Sequence, residues 1–281
     1  MTPTNPLPLA GRVALITGAN TGIGAVTARE LARRGARVFI ACRTPARAQP
    51  VLEAIRAEGG QCELLTLDLG DLDSVRRCAD AFIATGAPLH LLVNNAGLAG
   101  GHGFTASGFE LAFGTNHVGH FLLTQRLRPV LERSAPARVV TVASRAHRRA
   151  TGIDWTAVRQ PTQSRTGLAE YSVSKLANIL FSAELARQLR GTGVTTYSLH
   201  PGVVATEVWR SVPWVLRSVL NLFTLTPEQG ARTTLHCATD PALGDETGRY
   251  YVDGRPAAPT PVAQDAGLAA QLWQRSLDWV A

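Results

Sequence analysis

The sequence has 281 residues, of which 45% are hydrophobic and 17% charged, and its formal net charge at pH 7 is +7. A chain of this composition can bury a core without disulfides or metal ions, which excludes an intrinsically disordered protein. The arginines are scattered apart from the segment 144–149, so the charge does not favour nucleic-acid binding. We find no metal-ligand spacing, no signal-peptide pattern and no run of about 18 apolar residues. We therefore expect a cytoplasmic protein without a transmembrane segment or metal site.

Short apolar runs rich in strand-forming residues alternate along the chain with segments of helical periodicity. The predicted strands are 12–18, 36–43, 62–69, 89–97, 137–144, 193–202 and 248–254. The predicted helices are 22–35, 46–60, 71–86, 115–134 and 168–191. Pro50 is expected in or near the first turn of the second helix. Since the strands are apolar on both faces, the alternation predicts a parallel sheet covered by helices on both sides.

The chain shows no internal repeat and no linker. We therefore expect one domain over residues 1–281. We interpret its last part, about 255–281, as a tail that contains a loop and a short helix.

The first predicted strand runs directly into a glycine-rich segment, TGANTGIG at 17–24, and a helix follows at once. Gly18, Gly22 and Gly24 allow positive φ angles and close approach of the backbone to a ligand. The N-terminus of the following helix offers free N–H groups and a positive dipole end to a pyrophosphate. In a strand–turn–helix unit this pattern predicts a dinucleotide site, the alternative being a sharp turn that binds nothing.

A tyrosine and a lysine lie four residues apart in the helical segment EYSVSKLAN at 170–178. Tyr171 and Lys175 would share one helix face, and Lys175 is the only lysine of the chain. A free tyrosine titrates near pH 10, and a neighbouring cation lowers its pKa by favouring the ionised phenol. The pair suits proton transfer, although the same spacing also occurs by chance on solvent-exposed helices.

Over residues 10–255 these motifs resemble the short-chain dehydrogenases/reductases, whose glycine loop Thr-Gly-x-x-x-Gly-x-Gly matches Thr17, Gly18, Gly22 and Gly24. The resemblance implies a single-domain Rossmann-like α/β fold. Its doubly wound parallel sheet would have about seven strands in the order 3-2-1-4-5-6-7, with helices on both faces. It also implies hydride transfer between a nicotinamide cofactor and a substrate carbon, coupled to proton transfer at the attached oxygen.

The resemblance also implies four catalytic residues, which are Asn116, Ser144, Tyr171 and Lys175. In the family the tyrosine transfers the proton and the serine hydrogen-bonds the substrate oxygen. The lysine holds the nicotinamide ribose, and the asparagine holds a water of a proton relay. We expect the lysine and the oxidised nicotinamide to lower the pKa of Tyr171 to about 7. Tyr171 lies 27 residues after Ser144, which implies a loop insertion over the site.

NADP(H) is favoured over NAD(H) because the end of the second strand, ACRTPAR, lacks an acid for the ribose hydroxyls. It has Arg43 for a 2′-phosphate, with Arg47 as a second candidate. The alternative is that Arg43 is a solvated charge and either cofactor is accepted. The residues predicted to bind the cofactor are Gly18, Asn20, Thr21, Gly22, Ile23, Gly24, Arg43, Asp68, Leu69, Asn95, Ala96, Gly97, Tyr171, Lys175, Pro201, Gly202, Val204 and Thr206.

The segment 207–225 is rich in aromatic and aliphatic side chains. In the family this region is a mobile lid, here about 205–226, so an apolar lid favours a small hydrophobic carbonyl or alcohol as substrate. An oligomer interface or a peripheral membrane contact is the alternative. Family members are often dimers or tetramers, so we expect a homo-oligomer.

The motifs YSVSKLANILF and HPGVVATE resemble the retinol-dehydrogenase-type members, which reduce retinal and other lipophilic or aromatic carbonyls. We therefore expect an NADP(H)-dependent oxidoreductase of the carbonyl reductase type that acts on a retinal-like aldehyde or ketone. The alternative is an NADP-binding regulatory or sensor protein with little turnover. His117 and His120 have no third ligand nearby and are interpreted as core residues rather than metal ligands.

Overall fold

The computed structural model describes residues 7–202 and 225–281. Within these residues, eight strands form one sheet in the order β3-β2-β1-β4-β5-β6-β7-β8. The strands are β1 Val13–Thr17, β2 Arg37–Cys42, β3 Cys62–Thr66, β4 Leu91–Asn94, β5 Ala137–Val142, β6 Val194–His200, β7 Arg249–Val252 and β8 Arg255–Pro256. The first seven are parallel, which confirms the predicted order 3-2-1-4-5-6-7, and the short β8 adds an antiparallel edge.

Helices cover both faces of the sheet. They are α1 Gly22–Arg33, α2 Pro45–Ala57, α3 Leu72–Ala84, α4 Leu111–Phe113, α5 Gly119–Arg133, α6 Leu168–Gln188, α7 Pro227–Thr239 and α8 Ala266–Val280. Helices α1, α2 and α7 pack on one face, and α3, α5, α6 and α8 pack on the other. Neighbouring residues of β1 pack on opposite faces of the sheet. Leu15 lies in the core beneath α3, α5, α6 and α8, and Ile16 lies in the core beneath α1, α2 and α7. This alternation explains why the strands read as uniformly apolar.

The helix predicted over 115–134 begins earlier and is not regular. It starts at Leu111 and contains a π-helical stretch, Gly114–Val118, between α4 and α5. A Cβ at Gly119 would collide with the carbonyl oxygen of Leu69, so glycine allows this helix to approach the loop after β3 closely. π-Helical insertions are often found at functional sites, and this one contains Asn116.

One further sequence expectation differs from the structure, and another falls on residues that are not described. Helix α2 begins at Pro45, so this residue takes the first helical position and Pro50 lies inside the helix. The lid expected over about 205–226 lies almost entirely outside the described residues, and so do Val204 and Thr206.

The segment between β5 and α6 packs against the loop that follows β4. The Thr162 hydroxyl donates to the carbonyl oxygen of Gly103 over 3.2 Å, and it also contacts the Glu110 carboxylate. Gly167 has a φ of +65°, and a Cβ there would lie 2.6 Å from the carbonyl oxygen of Gly101. The two loops therefore form one wall beside the carboxyl edge of the sheet. None of the described helices is both long and apolar enough to cross a membrane.

Replacing Phe121 by alanine should lower the free energy of unfolding by about 3–5 kcal/mol, because it removes a fully buried ring from the core. This ring packs 5.7 Å from that of Phe181 and 5.1 Å from that of Trp273, which joins α5 to α6 and α8. Phe104→Ala is the control, since this side chain is 46% exposed and should change stability by only about 0.5 kcal/mol. Urea unfolding curves of the two variants test this, and equal losses would contradict it.

Candidate active site

A cleft of about 370 Å³ opens at the carboxyl ends of the parallel strands, between the glycine turn after β1 and the start of α6. Open α/β sheets bind ligands at this edge, where the strand order reverses. Ser144 lines the cleft, and so does every predicted cofactor-binding residue in the described part of the chain. These are Gly18, Asn20, Thr21, Gly22, Ile23, Gly24, Arg43, Asp68, Leu69, Asn95, Ala96, Gly97, Tyr171, Lys175, Pro201 and Gly202. Asn116 is buried behind the cleft, so the structure brings these sixteen residues, which include Tyr171 and Lys175, together with Ser144 and Asn116.

The glycine turn is packed tightly against the loop after β4. Gly18 has a φ of +66°, and a Cβ there would lie 2.9 Å from the Cα of Ala96. A Cβ at Gly24 would lie 2.5 Å from the Nδ2 atom of Asn95 and 2.6 Å from the Gly18 carbonyl oxygen. Glycine is therefore required at these two positions by the protein's own packing as well as by the approach of a ligand.

The first turn of α1 has the properties of an anion site. Its N-cap residue, Thr21, makes no side-chain cap hydrogen bond, and no acidic residue occupies the first turn. The leading N–H groups of the helix therefore keep their hydrogen-bonding capacity, and the positive end of the helix dipole faces the cleft wall. Together with the Arg43 guanidinium and the Lys175 ammonium, they form a donor set suited to a phosphorylated dinucleotide.

Two side chains after neighbouring strands border the same end of the cleft. Arg43 directly follows β2 and is exposed, and no acidic residue occurs in the segment 41–47 that leads into α2. Asp68 follows β3, and its Oδ1 atom accepts a 2.9 Å hydrogen bond from the backbone N–H of Gly70. This contact holds the carboxylate of Asp68 at the cleft wall.

Lys175 is buried at the centre of the site. Its ammonium group donates to the carbonyl oxygen of Val142, the last residue of β5, over 2.8 Å. Only 3% of the residue is exposed, and burial lowers the pKa of the amine to about 7. A Cβ at Gly97 would lie 3.4 Å from the Nζ atom of Lys175 and 3.3 Å from the Oδ1 atom of Asn116, so the loop after β4 passes close to both side chains.

Asn116 joins three parts of the chain through its side chain. Its Oδ1 atom accepts from the backbone N–H of Leu98 over 2.9 Å, and its Nδ2 atom donates to the Leu98 carbonyl over 3.0 Å. The Nδ2 atom also donates to the hydroxyl of Ser174, the residue before Lys175, over 2.9 Å. The amide is thus used to fix the loop after β4 against α6.

Tyr171 and Ser144 lie at the opposite end of the cleft from the glycine turn. The Nζ atom of Lys175 is 5.7 Å from the centroid of the tyrosine ring. Burial raises the pKa of Tyr171, and a side-chain hydrogen bond with Ser144 lowers it by a smaller amount. Among the protein's own groups, desolvation of the phenol therefore outweighs the hydrogen bond, and a lowered pKa in the presence of the oxidised nicotinamide stays a prediction.

Several apolar and polar residues that line the cleft were not predicted from the sequence. These include Leu98, Ala99, Leu111, Val142 and His200. Val142 and His200 end β5 and β6, so the rule that ligands meet the carboxyl ends of strands could have found them. Leu98 and Ala99 lie in irregular chain after β4, for which the sequence carries no periodic signal, and Leu111 begins the short helix α4.

Residues 12–214 match the short chain dehydrogenase family. The chain belongs to this family. Human retinol dehydrogenase 11 is 44% identical over 280 residues, which cover 98% of this chain and 87% of that protein. This short-chain dehydrogenase is therefore an oxidoreductase related to the retinol dehydrogenases, and its family uses a nicotinamide cofactor.

Two solved structures resemble this short-chain dehydrogenase. One is an uncharacterised protein from Mycobacterium paratuberculosis, with a TM-score of 0.79 and 37% identity; the match covers 98% of this chain and 95% of that one. The other is the complex of RhlG with NADP from Pseudomonas aeruginosa, with a TM-score of 0.70 and 29% identity, covering 89% and 98% of the two chains.

The buried amine should make the stability of this short-chain dehydrogenase depend on pH. An unfolded lysine keeps its proton up to about pH 10.5, whereas the folded amine loses it near pH 7. Between these values the unfolded state binds more protons, so folding becomes more favourable as the pH rises. Relative to Lys175→Met, the wild type should gain about 1.4 kcal/mol of unfolding free energy per pH unit in this window.

Urea unfolding of both proteins at pH 7, 8 and 9 measures this gain. All other titrating groups are common to both proteins, so their difference isolates residue 175. A difference that stays flat or falls across this range would contradict the depressed pKa.

Proposed function

We propose that the protein is an NADP(H)-dependent oxidoreductase that transfers a hydride between the nicotinamide and a lipophilic or aromatic carbonyl or alcohol. The observation that carries this proposal is the presence of Ser144, Tyr171 and Lys175 in the cleft that also contains the glycine turn. Proton-transfer groups and a dinucleotide site thereby share one cavity, which is the arrangement that coupled hydride and proton transfer needs.

The cofactor would extend along the cleft from α1 to Tyr171. The N–H groups of the glycine turn and α1 would hold the pyrophosphate, and Asp68 would contact the adenine. Lys175 would hold the nicotinamide ribose, with Pro201 and Gly202 shaping the adjacent wall. The roles of Val204 and Thr206 stay predictions, and so do homo-oligomerisation and peripheral membrane contact.

Preference for NADP(H) rests on Arg43. A guanidinium group can hold a 2′-phosphate through two parallel hydrogen bonds, and the end of β2 offers no carboxylate for the hydroxyls of NAD(H). The structure of RhlG, which is 29% identical, is a complex with NADP, and this supports the proposal.

In the proposed reaction, the bound nicotinamide supplies or accepts the hydride. The Tyr171 hydroxyl gives its proton to the carbonyl oxygen during reduction and takes it back during oxidation. Ser144 donates a hydrogen bond to the same oxygen and stabilises its developing negative charge. Lys175, held by Val142, supplies the positive charge that favours the tyrosine anion.

The substrate end of the cleft is apolar. The apolar side chains of Leu98, Ala99 and Leu111 line the cleft together with Tyr171. Such a wall favours a lipophilic carbonyl over a sugar or an organic acid, because a polar substrate would lose hydration without gaining partners. The name of the 44% identical human relative refers to retinol, which is consistent with a substrate of this class.

Tyr171→Phe should reduce turnover by about 10²–10⁴-fold and leave NADPH binding within about threefold, because only the proton donor is removed. Tyr197→Phe is a matched control: its hydroxyl is buried and donates to the Leu243 carbonyl, but it does not line the cleft. NADPH oxidation across a panel of lipophilic aldehydes and ketones, with titration calorimetry for binding, tests both variants. Normal turnover by Tyr171→Phe would refute the assigned proton donor.

Arg43→Asp should shift the ratio of kcat/KM for NADPH to that for NADH towards NADH by about 10–100-fold. The substitution removes charge-assisted hydrogen bonds to the 2′-phosphate and adds an acceptor for ribose hydroxyls. Arg190→Asp makes the same change of charge at an exposed position outside the cleft and should leave the ratio unchanged. A wild type that prefers NADH would exclude the NADP(H) assignment.

A further inference from the structure

A buried histidine connects the glycine turn to the helix that carries Asn116. The Nε2 atom of His120 lies 2.8 Å from the hydroxyl of Thr17, and its Nδ1 atom lies 2.9 Å from the backbone carbonyl oxygen of Asn116. The residue is 1% exposed and does not line the cleft. Both of its polar atoms are therefore used inside the protein.

The direction of these two hydrogen bonds follows from elementary chemistry. A carbonyl oxygen can only accept, so the Nδ1 atom of His120 must carry a proton. Burial lowers the pKa of His120 to about 4, so the ring is neutral near pH 7 and its Nε2 atom is an acceptor. Thr17 must then donate its hydroxyl proton to His120, which at 2.8 Å is a closer partner than the carbonyl of Val93 at 3.4 Å.

The Thr17 hydroxyl also receives two hydrogen bonds. The backbone N–H groups of Asn95 and Ala96 donate to it, each over 3.0 Å. The Nδ2 atom of Asn95 donates to the Thr17 carbonyl oxygen over 2.8 Å. Thr17 immediately precedes Gly18, so the orientation of its hydroxyl fixes the two loops that form the dinucleotide end of the cleft.

At its other end, His120 holds the main chain of Asn116. The side chain of Asn116 is bound to Leu98 and Ser174, as described above, and its Oδ1 atom lies close to the Gly97 position beside the Lys175 ammonium. A shift of the Asn116 backbone would therefore move groups that contact the catalytic lysine.

We propose that His120 is a positioning residue that couples the dinucleotide site to the catalytic lysine through Thr17 and Asn116. This inference rests on the proposed function, because it concerns the same cleft. The histidine touches neither cofactor nor substrate. It acts by holding the glycine turn and the π-helical stretch in one fixed relation.

The chain offers a matched control on the same helix. His117 is also 1% exposed, and burial lowers its pKa to about 3. Its Nε2 atom, however, lies 3.0 Å from the hydroxyl of Ser276 in α8, on the side away from the glycine turn. Replacing either histidine by phenylalanine keeps an aromatic ring and leaves a buried hydroxyl without its partner, but only His120 is connected to the cleft.

The experiment compares His120→Phe, His120→Asn and His117→Phe with the wild type. The Kd for NADPH is measured by titration calorimetry, kcat with a lipophilic aldehyde, and Tm by thermal unfolding. Both phenylalanine variants should lose a few degrees in Tm. Only His120→Phe should also weaken NADPH binding and lower kcat, each by about tenfold or more, as expected when a buried hydrogen bond is lost.

The His120→Asn variant distinguishes the contact of His120 with Thr17 from its contact with the Asn116 carbonyl oxygen. Its shorter amide can donate to the Asn116 carbonyl in place of Nδ1 but cannot reach Thr17. His120→Asn should therefore keep kcat within about threefold of the wild type, with NADPH binding still weakened. A purely structural role would not produce this split between binding and turnover.

Two results would overturn the coupling. One is an NADPH affinity and kcat of His120→Phe within twofold of those of His117→Phe. The other is an unchanged NADPH affinity in His120→Asn, which decides the question even if His120→Phe does not fold. A wild type that binds no NADPH would refute the proposed function and the coupling together, whereas normal wild-type binding with unaffected His120 variants refutes the coupling alone.

Discussion

The hydrogen bond from the Lys175 ammonium to the Val142 carbonyl is the interaction on which the candidate site depends. A buried amine needs a polar acceptor, since otherwise its desolvation would be uncompensated. Here the acceptor is the last residue of β5, and Ser144 follows it by two positions. The bond therefore fixes α6, with Tyr171 on it, at a set distance from the serine. It also explains why the amine can remain in the site although burial lowers its pKa to about 7.

Polar groups behind the cleft are satisfied by one another rather than by solvent. Asn116, His120 and Thr17 form a continuous chain of hydrogen bonds from α6 to the end of β1. Such a network is rigid only when its members are all paired and closely packed. Glycine makes close packing possible at the Thr17 end, because a Cβ at Gly24 would lie 2.5 Å from the Nδ2 atom of Asn95, which donates to the Thr17 carbonyl oxygen. The rigidity of these groups thus depends on glycines, which allow close approach of the backbone, as well as on the hydrogen-bonding side chains.

Most of the fold and much of the candidate site could be predicted from the sequence. Strand–helix alternation and uniformly apolar strands are local signals, so they predict the parallel sheet, whereas the strand order was implied by the resemblance to the short-chain dehydrogenases/reductases. The π-helical stretch around Asn116 was not predictable, because it changes a hydrogen-bonding pattern without changing hydrophobic periodicity. The desolvation that raises the pKa of Tyr171 was not predictable, because burial depends on tertiary packing, which spacing along a helix does not reveal. His120 was recognised as a core residue, but its partners at positions 17 and 116 come together only in the folded chain.

The two ends of the cleft are built from different kinds of structure. Strand ends and helix starts supply the glycine turn, Lys175 and Tyr171, so their positions are set by the packing of the sheet. The wall beside Tyr171 comes instead from the loop after β4 and the segment between β5 and α6, which are joined by contacts such as that of Thr162 with Gly103. These two loops are nevertheless tied to the predicted catalytic residues, because Ser144 begins the segment after β5 and the Asn116 side chain holds Leu98 in the loop after β4. Substitutions in the rest of the wall can reshape its apolar surface, whereas changes at these two points would also reach the predicted catalytic residues.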